Sequence, residues 1–408
     1  MSAVGDIVVA SSFSWLDYST RDREKALEVI DLFKEPGTLD ELGIGTVRDA
    51  LSDRLFPGIS TIQTRAKYFL FVPWIYLRLE RRRIGSRDIA QKARQEEIRL
   101  IEALSQSEDT NGLIGIEARK RLQRLPSVIY WNGLGVWGLR RYRGSQAQYH
   151  RSLDAFYRSV RRPREAGEEE IADRVPSNWH PAIPPPPADF PRQASFALTA
   201  DEAQFLQERI LAVAPHTLLA YLVSHARPGQ EARYPWQHPQ LADLPGKIRI
   251  DLDHAHNFSL SMHGAALLYN LMLAEALGSE QWTEQYLDRF THWAEEVQQS
   301  RTVLDGWSRE EFWNLVLEIN PRIPFPSRRF IDRWLDMVAH TADPVTLAKN
   351  EGVRAMLAER ERSLKGPRAR LYNRRALELW SGESGTRRLS FRWPQASIII
   401  EDILRGLS

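Results

Sequence analysis

The sequence predicts a mainly α protein with a multi-helical, two-part architecture and a helix-turn-helix or winged-helix-like unit in its N-terminal half. Apolar residues recur at the spacing of an amphipathic helix along most of the 408 residues. Hydroxyl residues followed three positions later by Glu or Gln indicate helix starts, because such pairs form capping boxes. These pairs are Ser60/Gln63, Ser145/Gln148, Thr199/Glu202 and Ser308/Glu311.

Helices are therefore expected along most of the chain, and strands at two places only. Charged and apolar residues alternate over 247–253, which predicts one strand, and 127–131 is a second candidate. The predicted helices span 19–34, 46–55, 61–82, 87–106, 116–124, 145–160, 202–213, 216–226, 254–277, 280–299, 309–319, 327–340, 345–363 and 394–406.

A segment over 163–198 separates the two parts. It contains the acidic run 168–170 and the proline run 184–187, and it has almost no aliphatic residues. This composition predicts an extended spacer that does not bury a core. The predicted organisation is a basic N-terminal helical domain over 1–162, an acidic and Pro-rich linker over 163–198, and a C-terminal helical domain over 199–408.

The composition narrows both the chemistry and the cellular setting. The chain has no cysteine, which excludes disulfides, thiolate metal sites and cysteine nucleophiles. Residues 1–10 have no basic residue and no long apolar core, so a secretory signal is not expected. The longest apolar run, 68–77, is shorter than the roughly 20 residues that cross a bilayer. We expect a cytoplasmic protein that has no membrane partner.

Positive charge is concentrated in one part of the chain. The net charge is +2, but residues 65–165 carry 22 Lys and Arg against 10 Asp and Glu. Most of these residues are arginines, whose forked guanidinium suits phosphate contacts. On the helix after Ser145, three arginines lie opposite an apolar face that contains Tyr149 and Leu153. The candidate nucleic-acid-binding residues are Arg119, Lys120, Arg121, Arg124, Arg140, Arg141, Arg143, Arg151, Arg158 and Arg162. Solvated helix faces, or pairing with the acidic middle of the chain, would explain the same pattern.

Two motifs suggest cofactor or metal chemistry, and both are rejected. Gly133, Gly135 and Gly138 match the dinucleotide-binding glycine pattern, but no βαβ unit surrounds them, so a glycine-rich turn between helices is predicted. At helical spacing His254 and His256 point in different directions, and His263 lies two turns from His256. No cofactor, metal or catalytic residue is therefore predicted.

Several short stretches resemble a known family. They are 13–18, 40–45, 56–58, 60–65 and 68–74 near the N-terminus, and 391–393, 401–403 and 406–407 at the C-terminus. In these stretches the chain resembles a bacterial family catalogued only as a domain of unknown function. The resemblance implies a genomic setting near anti-phage defence, helicase or nuclease genes. It implies no catalytic residue.

Charge and resemblance together favour one function and leave two alternatives. The favoured function is a non-catalytic, nucleic-acid-contacting subunit of a bacterial DNA-processing or anti-phage defence complex, with DNA and other protein subunits as partners. The first alternative is a divergent metal-dependent nuclease whose acidic residues come together only in the fold. The second is a structural adaptor whose arginines bind an acidic protein partner.

Overall fold

The structure, a computed structural model, describes residues 40–116, 122–161 and 177–408. Within these ranges it is helical apart from turns and an isolated β-bridge between Arg140 and Trp179. The α-helices are α1 Gly45–Leu55, α2 Tyr68–Arg81, α3 Ile89–Leu104, α4 Pro126–Val136, α5 Gln146–Arg161, α6 Ala200–Val213, α7 Leu218–His225, α8 Gly246–Leu277, α9 Glu280–Gln299, α10 Arg301–Asp305, α11 Arg309–Ile319, α12 Phe325–His340, α13 Glu351–Lys365, α14 Arg374–Glu378 and α15 Trp393–Leu407.

The predicted mainly α, multi-helical fold is confirmed. The helix-turn-helix or winged-helix-like unit stays a prediction, because its first helix was expected over 116–124 and residues 117–121 lie outside the described residues. The predicted helix 19–34 lies outside them as well. None of the described helices combines the length and the apolar character that crossing a membrane requires.

Both strand predictions are wrong, because the segments belong to helices. Residues 247–253 lie in α8, where Ile248 and Leu252 are buried and Ile250, between them, is 54% exposed. That difference follows from helical geometry, which places residues four apart on one face. Residues 127–131 lie in α4, which begins at Pro126 with the proline ring in the first turn, where a missing amide costs nothing.

Three of the four predicted capping boxes lie at helix starts. Thr199 and Glu202 make both reciprocal bonds at the start of α6, and Ser145 and Gln148 do so before α5. Ser308 accepts a hydrogen bond from the amide of Glu311 at the start of α11. The prediction at Ser60/Gln63 is wrong, because those residues form a turn and α2 begins only at Tyr68.

The chain divides into two compact units that are discontinuous in sequence. The small unit contains the described residues of Met1–Gly43 together with Ala266–Phe290 and Ala348–Arg387. The large unit contains Ile44–Ala265, Thr291–Leu347 and Arg388–Ser408. The predicted linear division into 1–162, 163–198 and 199–408 stays a prediction, since 163–176 lie outside the described residues. The described end of the predicted linker is nevertheless not a free spacer, because Trp179, Phe190 and Phe196 are buried.

The core of the large unit surrounds α2, which packs against α3 and α4. Every side chain from Tyr68 to Tyr76 is buried. Phe69 stacks on Trp137 with ring centroids 3.8 Å apart, and Tyr68 lies 5.2 Å from Tyr130. Burial of each such side chain contributes on the order of 2 kcal/mol, so this helix is a major source of stability.

The predicted glycine-rich turn is only partly correct, since Gly133 and Gly135 lie within α4 and only Gly138 lies in the turn after it. A Cβ at Gly133 would stand 2.4 Å from the carbonyl oxygen of Gly58, so the helix can approach that turn only without a side chain. Gly138 has a φ of +70°, which glycine adopts at little cost. Close packing and turn geometry therefore account for the motif.

Asp402 in α15 binds the chain just before α2. Its carboxylate accepts a hydrogen bond from the Ala66 amide at 2.8 Å and pairs with Arg65 Nε at 3.0 Å. The side chains of Arg65 and Asp402 are only 13% and 9% exposed. We call these bonds the Asp402 clasp. They hold the C-terminal helix at the start of α2, which passes through the core of the large unit.

In the small unit, a buried charge network holds the segment before α1. Glu41 pairs with Lys365 and with Arg370, whose Nη1 lies 3.0 Å from Glu41 Oε1. Arg360 Nε donates to the Leu42 carbonyl at 2.9 Å. Glu361, which is fully buried, accepts hydrogen bonds from the Tyr269 hydroxyl and the Arg370 amide. The charges are satisfied within the network, as buried charges must be.

Replacing Asp402 with alanine is expected to lower the free energy of unfolding by about 3 kcal/mol or more, because Arg65 and the Ala66 amide would lose their buried partner. The matched control is Arg405→Ala, which removes an exposed pair with Glu401 on the same helix and should cost about 0.5 kcal/mol. Urea denaturation of the full-length protein measures both changes. Similar losses in the two variants would contradict the importance of the clasp.

Candidate nucleic-acid interface

The structure describes six of the ten predicted nucleic-acid-binding residues. Arg119, Lys120, Arg121 and Arg162 lie outside the described residues. The described ones are Arg124, Arg140, Arg141, Arg143, Arg151 and Arg158, and all of them lie in the large unit. A role in nucleic-acid binding stays a prediction for all ten.

Arg140 holds the turn in which it lies. Its Nε donates to the Trp131 carbonyl at 3.2 Å, and its Nη1 donates to the carbonyls of Tyr142 and Gly144. The guanidinium lies 4.7 Å from the centre of the Trp131 ring, and burial lowers the pKa of Arg140. Its donors are therefore used to stabilise the turn after α4.

The other three residues of this region differ in their surroundings. Arg141 and Arg143 have exposed side chains on the turn, while Arg124, before α4, is half-buried. The backbone amide of Arg141 donates to the Asn178 carbonyl at 2.8 Å, which fixes the turn against the segment after residue 177. Arg141 and Arg143 thus project from a well-held backbone.

On α5, the predicted opposition of arginines and apolar residues is confirmed for the first part of the helix. Tyr149 and Leu153 are fully buried, while Arg151 and Arg158 are exposed. Val160 is 40% exposed, so the apolar face is no longer covered near the end of the helix. Arg151 and Arg158 therefore lie on a solvated face.

The loop after α2 packs on α5 next to these arginines. Asp154 accepts hydrogen bonds from the amide of Ser86, at 3.1 Å, and from its hydroxyl. The Tyr157 hydroxyl donates to the Ile84 carbonyl at 3.0 Å. A Cβ at Gly85 would lie 2.8 Å from Asp154 Oδ1, which shows how closely the loop approaches the helix.

Two arginine clusters that are distant in sequence meet at this loop. Exposed Arg83 and Arg87 flank the residues that bind α5, and Arg151 and Arg158 lie one turn before and after Asp154. The Ser86 hydrogen bonds, aided by the charge of Arg158, lower the pKa of Asp154. Arg83, Arg87, Arg151 and Arg158 are called the arginine surface below.

A half-buried carboxylate of α2, that of Glu80, holds α5 in place. Glu80 Oε1 accepts hydrogen bonds from the Tyr149 hydroxyl at 2.5 Å, from Asn178 Nδ2 at 3.1 Å and from Trp179 Nε1 at 3.1 Å. Burial raises the pKa of Glu80 despite these three donors. One side chain of α2 thus joins α5 to the segment after residue 177.

A second carboxylate, Glu97 of α3, binds the first turn of α4. It accepts hydrogen bonds from the Ser127 amide and hydroxyl, both at 2.8 Å, and complete burial raises the pKa of Glu97 to about 7. Gln146 of α5 donates to the Ser127 hydroxyl at 2.8 Å and to the Tyr76 hydroxyl at 2.7 Å. Sequence reasoning missed Glu97, although its spacing of four from Ala93 and three from Leu100 places it on the apolar face of α3.

The histidines considered as metal ligands have other partners. His254 Nδ1 accepts a hydrogen bond from Trp307 Nε1 at 2.8 Å, and His256 stacks on Trp236 at 4.6 Å. Across 40–116, 122–161 and 177–408, no group of three or more His, Cys, Asp or Glu side chains is arranged to hold a metal ion.

Comparison with known proteins assigns the family. The sequence matches a family described as DUF6361, a family of unknown function, over residues 10–405. The chain belongs to DUF6361. This confirms the resemblance to a family catalogued only as a domain of unknown function. No curated protein and no solved structure matches the chain.

The structure brings together residues of the stretches that carry the DUF6361 resemblance. In the large unit, Arg65 and Asp402 form the Asp402 clasp, and the rings of Phe56 and Trp393 lie 5.8 Å apart. In the small unit, Glu41 belongs to the buried charge network. These residues hold the fold together. The arginine surface lies within the family match over residues 10–405 but outside the short stretches that carry the resemblance.

The buried position of Glu97 makes stability depend on pH. Folding raises the pKa of Glu97 from 4.5 to about 7, so the folded protein keeps a proton that the unfolded chain releases in this range. Its contribution to the free energy of unfolding is complete below about pH 4.5. The contribution falls as the pH rises through 7 and is lost by about pH 8, a total change of about 3 kcal/mol.

The test compares Glu97→Gln with the wild type at each pH. Burial lowers the pKa of His256 to about 4, which weakens both proteins as the pH falls and cancels in the difference. Relative to the wild type, the variant should gain about 3 kcal/mol between about pH 4.5 and 8 in urea denaturation. A difference that does not vary with pH would contradict the role assigned to Glu97.

Proposed function

We propose that the protein contacts nucleic acid through the arginine surface of its large unit. The observation that carries the proposal is the packing of the loop after α2 on α5, which joins Arg83 and Arg87 to Arg151 and Arg158. Exposed guanidinium groups from two elements suit the spaced phosphates of a nucleic-acid backbone. Residues 65–165 contain 22 basic and only 10 acidic residues, and this positive balance supports the same proposal.

The proposed role is that of a non-catalytic subunit of a DNA-processing or anti-phage defence complex. The support for a complex is the genomic setting that the family resemblance implies. Contacts from exposed arginines to phosphates position a protein without reading sequence. We therefore expect DNA binding with little sequence preference, and a cytoplasmic location.

The first test replaces two arginines of the surface. Arg151→Gln with Arg158→Gln should leave folding intact and reduce the slope of log affinity against log salt for duplex DNA by up to about 1.8, at about 0.9 per phosphate. The matched control is Arg322→Gln with Arg329→Gln, an equal charge change at exposed residues of the same unit. Fluorescence anisotropy over a salt series measures the slope. Equal slopes for both double variants would contradict the proposal. If the Arg151/Arg158 double variant instead loses a co-purifying acidic protein, the result would favour the structural adaptor function.

The second test separates the loop packing from charge. Asp154→Asn removes a negative charge but keeps an oxygen that can accept the Ser86 hydrogen bond. This variant should therefore bind duplex DNA more tightly than the wild type does. Asp154→Ala removes the same charge and also the acceptor, so the loop would lose the Ser86 hydrogen bonds to α5 and keep the one from Tyr157 to Ile84, and DNA binding should be weaker than in Asp154→Asn. Indistinguishable affinities of the two variants at low salt would mean that the packing of the loop does not matter for binding.

A further inference from the structure

A cleft of about 650 Å³ in the large unit shares no lining residue with the arginine surface. Its walls come from the end of α2, from α3 and from the segment 188–192. Arg78 and Arg82 of the first wall, Arg99 of the second and Arg192 of the third all line it. The volume is within the range of clefts that bind a small molecule, about 300–1,000 Å³.

Two of these arginines are held in place. Arg99 Nη1 pairs with Glu96 Oε1 at 2.8 Å, and Arg78 Nη1 donates to the Phe190 carbonyl at 2.5 Å. Glu96 is buried, and its Oε2 lies 4.0 Å from Arg78 Nη1, so one carboxylate orients both guanidinium groups. Groups oriented before a ligand arrives lose less entropy when they bind it.

The other two arginines have no such partners. Arg82 and Arg192 are exposed, and within the described residues their side chains make no hydrogen bond or ion pair. Guanidinium groups that line a cleft without a carboxylate partner are suited to a doubly charged phosphate, which accepts bidentate hydrogen bonds.

The cleft also contains hydrogen-bond acceptors, which a bare anion would not use. Glu102 and Asp189 line it beside the arginines, together with the amide of Gln106. Carboxylates accept hydrogen bonds from hydroxyl and amino groups, such as those of a ribose and a base. A long polyanionic strand would be repelled by these carboxylates, whereas a small ligand with a phosphate at one end and hydroxyl groups at the other would use both kinds of residue.

We propose that this cleft binds a nucleoside phosphate. Arg82 and Arg192 contact the phosphates, Arg78 and Arg99 add fixed positive charge, and Glu102 and Asp189 accept hydrogen bonds from the nucleoside. The proposal does not depend on DNA binding, because it concerns different residues and a different ligand.

The experiment uses the full-length protein and a fluorescent ADP analogue, with unlabelled ADP, AMP, adenosine and inorganic pyrophosphate as competitors. We expect binding with ADP displacing the probe more effectively than adenosine or pyrophosphate does. Arg82→Gln with Arg192→Gln should weaken binding about tenfold or more, as expected for the loss of charge-assisted hydrogen bonds. Arg322→Gln with Arg329→Gln, an equal charge change at exposed residues of the same unit, is the matched control and should leave binding unchanged.

A second pair of variants tests the nucleoside contacts. Glu102→Gln with Asp189→Asn should strengthen pyrophosphate binding. The difference between the affinities for pyrophosphate and for ADP should therefore become smaller than in the wild type. Three results would overturn the proposal. The first is no binding of the ADP analogue at about 1 mM protein, and the second is equal weakening of binding by the Arg82/Arg192 double variant and by its control. The third is pyrophosphate binding to the wild type as tightly as ADP does. Thermal unfolding of each variant checks folding, and Arg192→Gln alone, at an exposed loop residue, gives the same readout if the double variant is unstable.

Discussion

The Asp402 clasp is the constraint on which the position of α2 in the large unit depends. It fixes Arg65 and Ala66 immediately before that helix, whose residues Tyr68 to Tyr76 are all buried in the core. At 1.5 Å per residue, its arginine-rich end lies roughly 20 Å from the start. Both the arginine surface and the cleft lined by Arg78 and Arg82 include residues at or just after that end, so their placement depends on a bond made at the opposite end.

Two carboxylates, one half-buried and one fully buried, connect α2 and α3 to the neighbouring helices. Glu80 joins α2 to α5 and to Trp179, and Glu97 joins α3 to the first turn of α4. Each carboxylate replaces lost water with donors from other elements, which is the condition for burying such a group. Unlike apolar contacts, these bonds specify which atoms must meet, so they define the register between helices as well as their proximity.

Helical periodicity and capping residues were sufficient to predict most described helices, because both signals are local. α9 and α11 have the predicted bounds, and α6 begins at the predicted cap, Thr199. The strand prediction over 247–253 failed because alternation of charged and apolar residues over seven positions also fits a helix, and only the exposure of Ile250 distinguishes the two. The unit division is discontinuous and depends on contacts between distant segments, which no local pattern records.

The candidate interface was less predictable for the same reason. Arg140 and Arg158 look alike in the sequence, yet the first donates to carbonyls of its own turn and the second faces solvent. Hydrogen bonds from Ser86 to Asp154 span 68 positions, so the meeting of two arginine clusters could not be read from spacing. Glu97 lies at a core position of an amphipathic helix, where an acidic residue indicates a buried partner even though the partner itself cannot be named.

The separation of 337 positions between Arg65 and Asp402 has a consequence for synthesis. The helices around α2 emerge first, and the residue that anchors them follows 337 positions later, together with α15, which packs on α6 and α7. At roughly 5–20 residues per second, the ribosome leaves the apolar start of α2 without its final partner for tens of seconds. The Asp402 clasp can therefore form only after α15 has been synthesised, so α2 is made long before the bond that fixes its start.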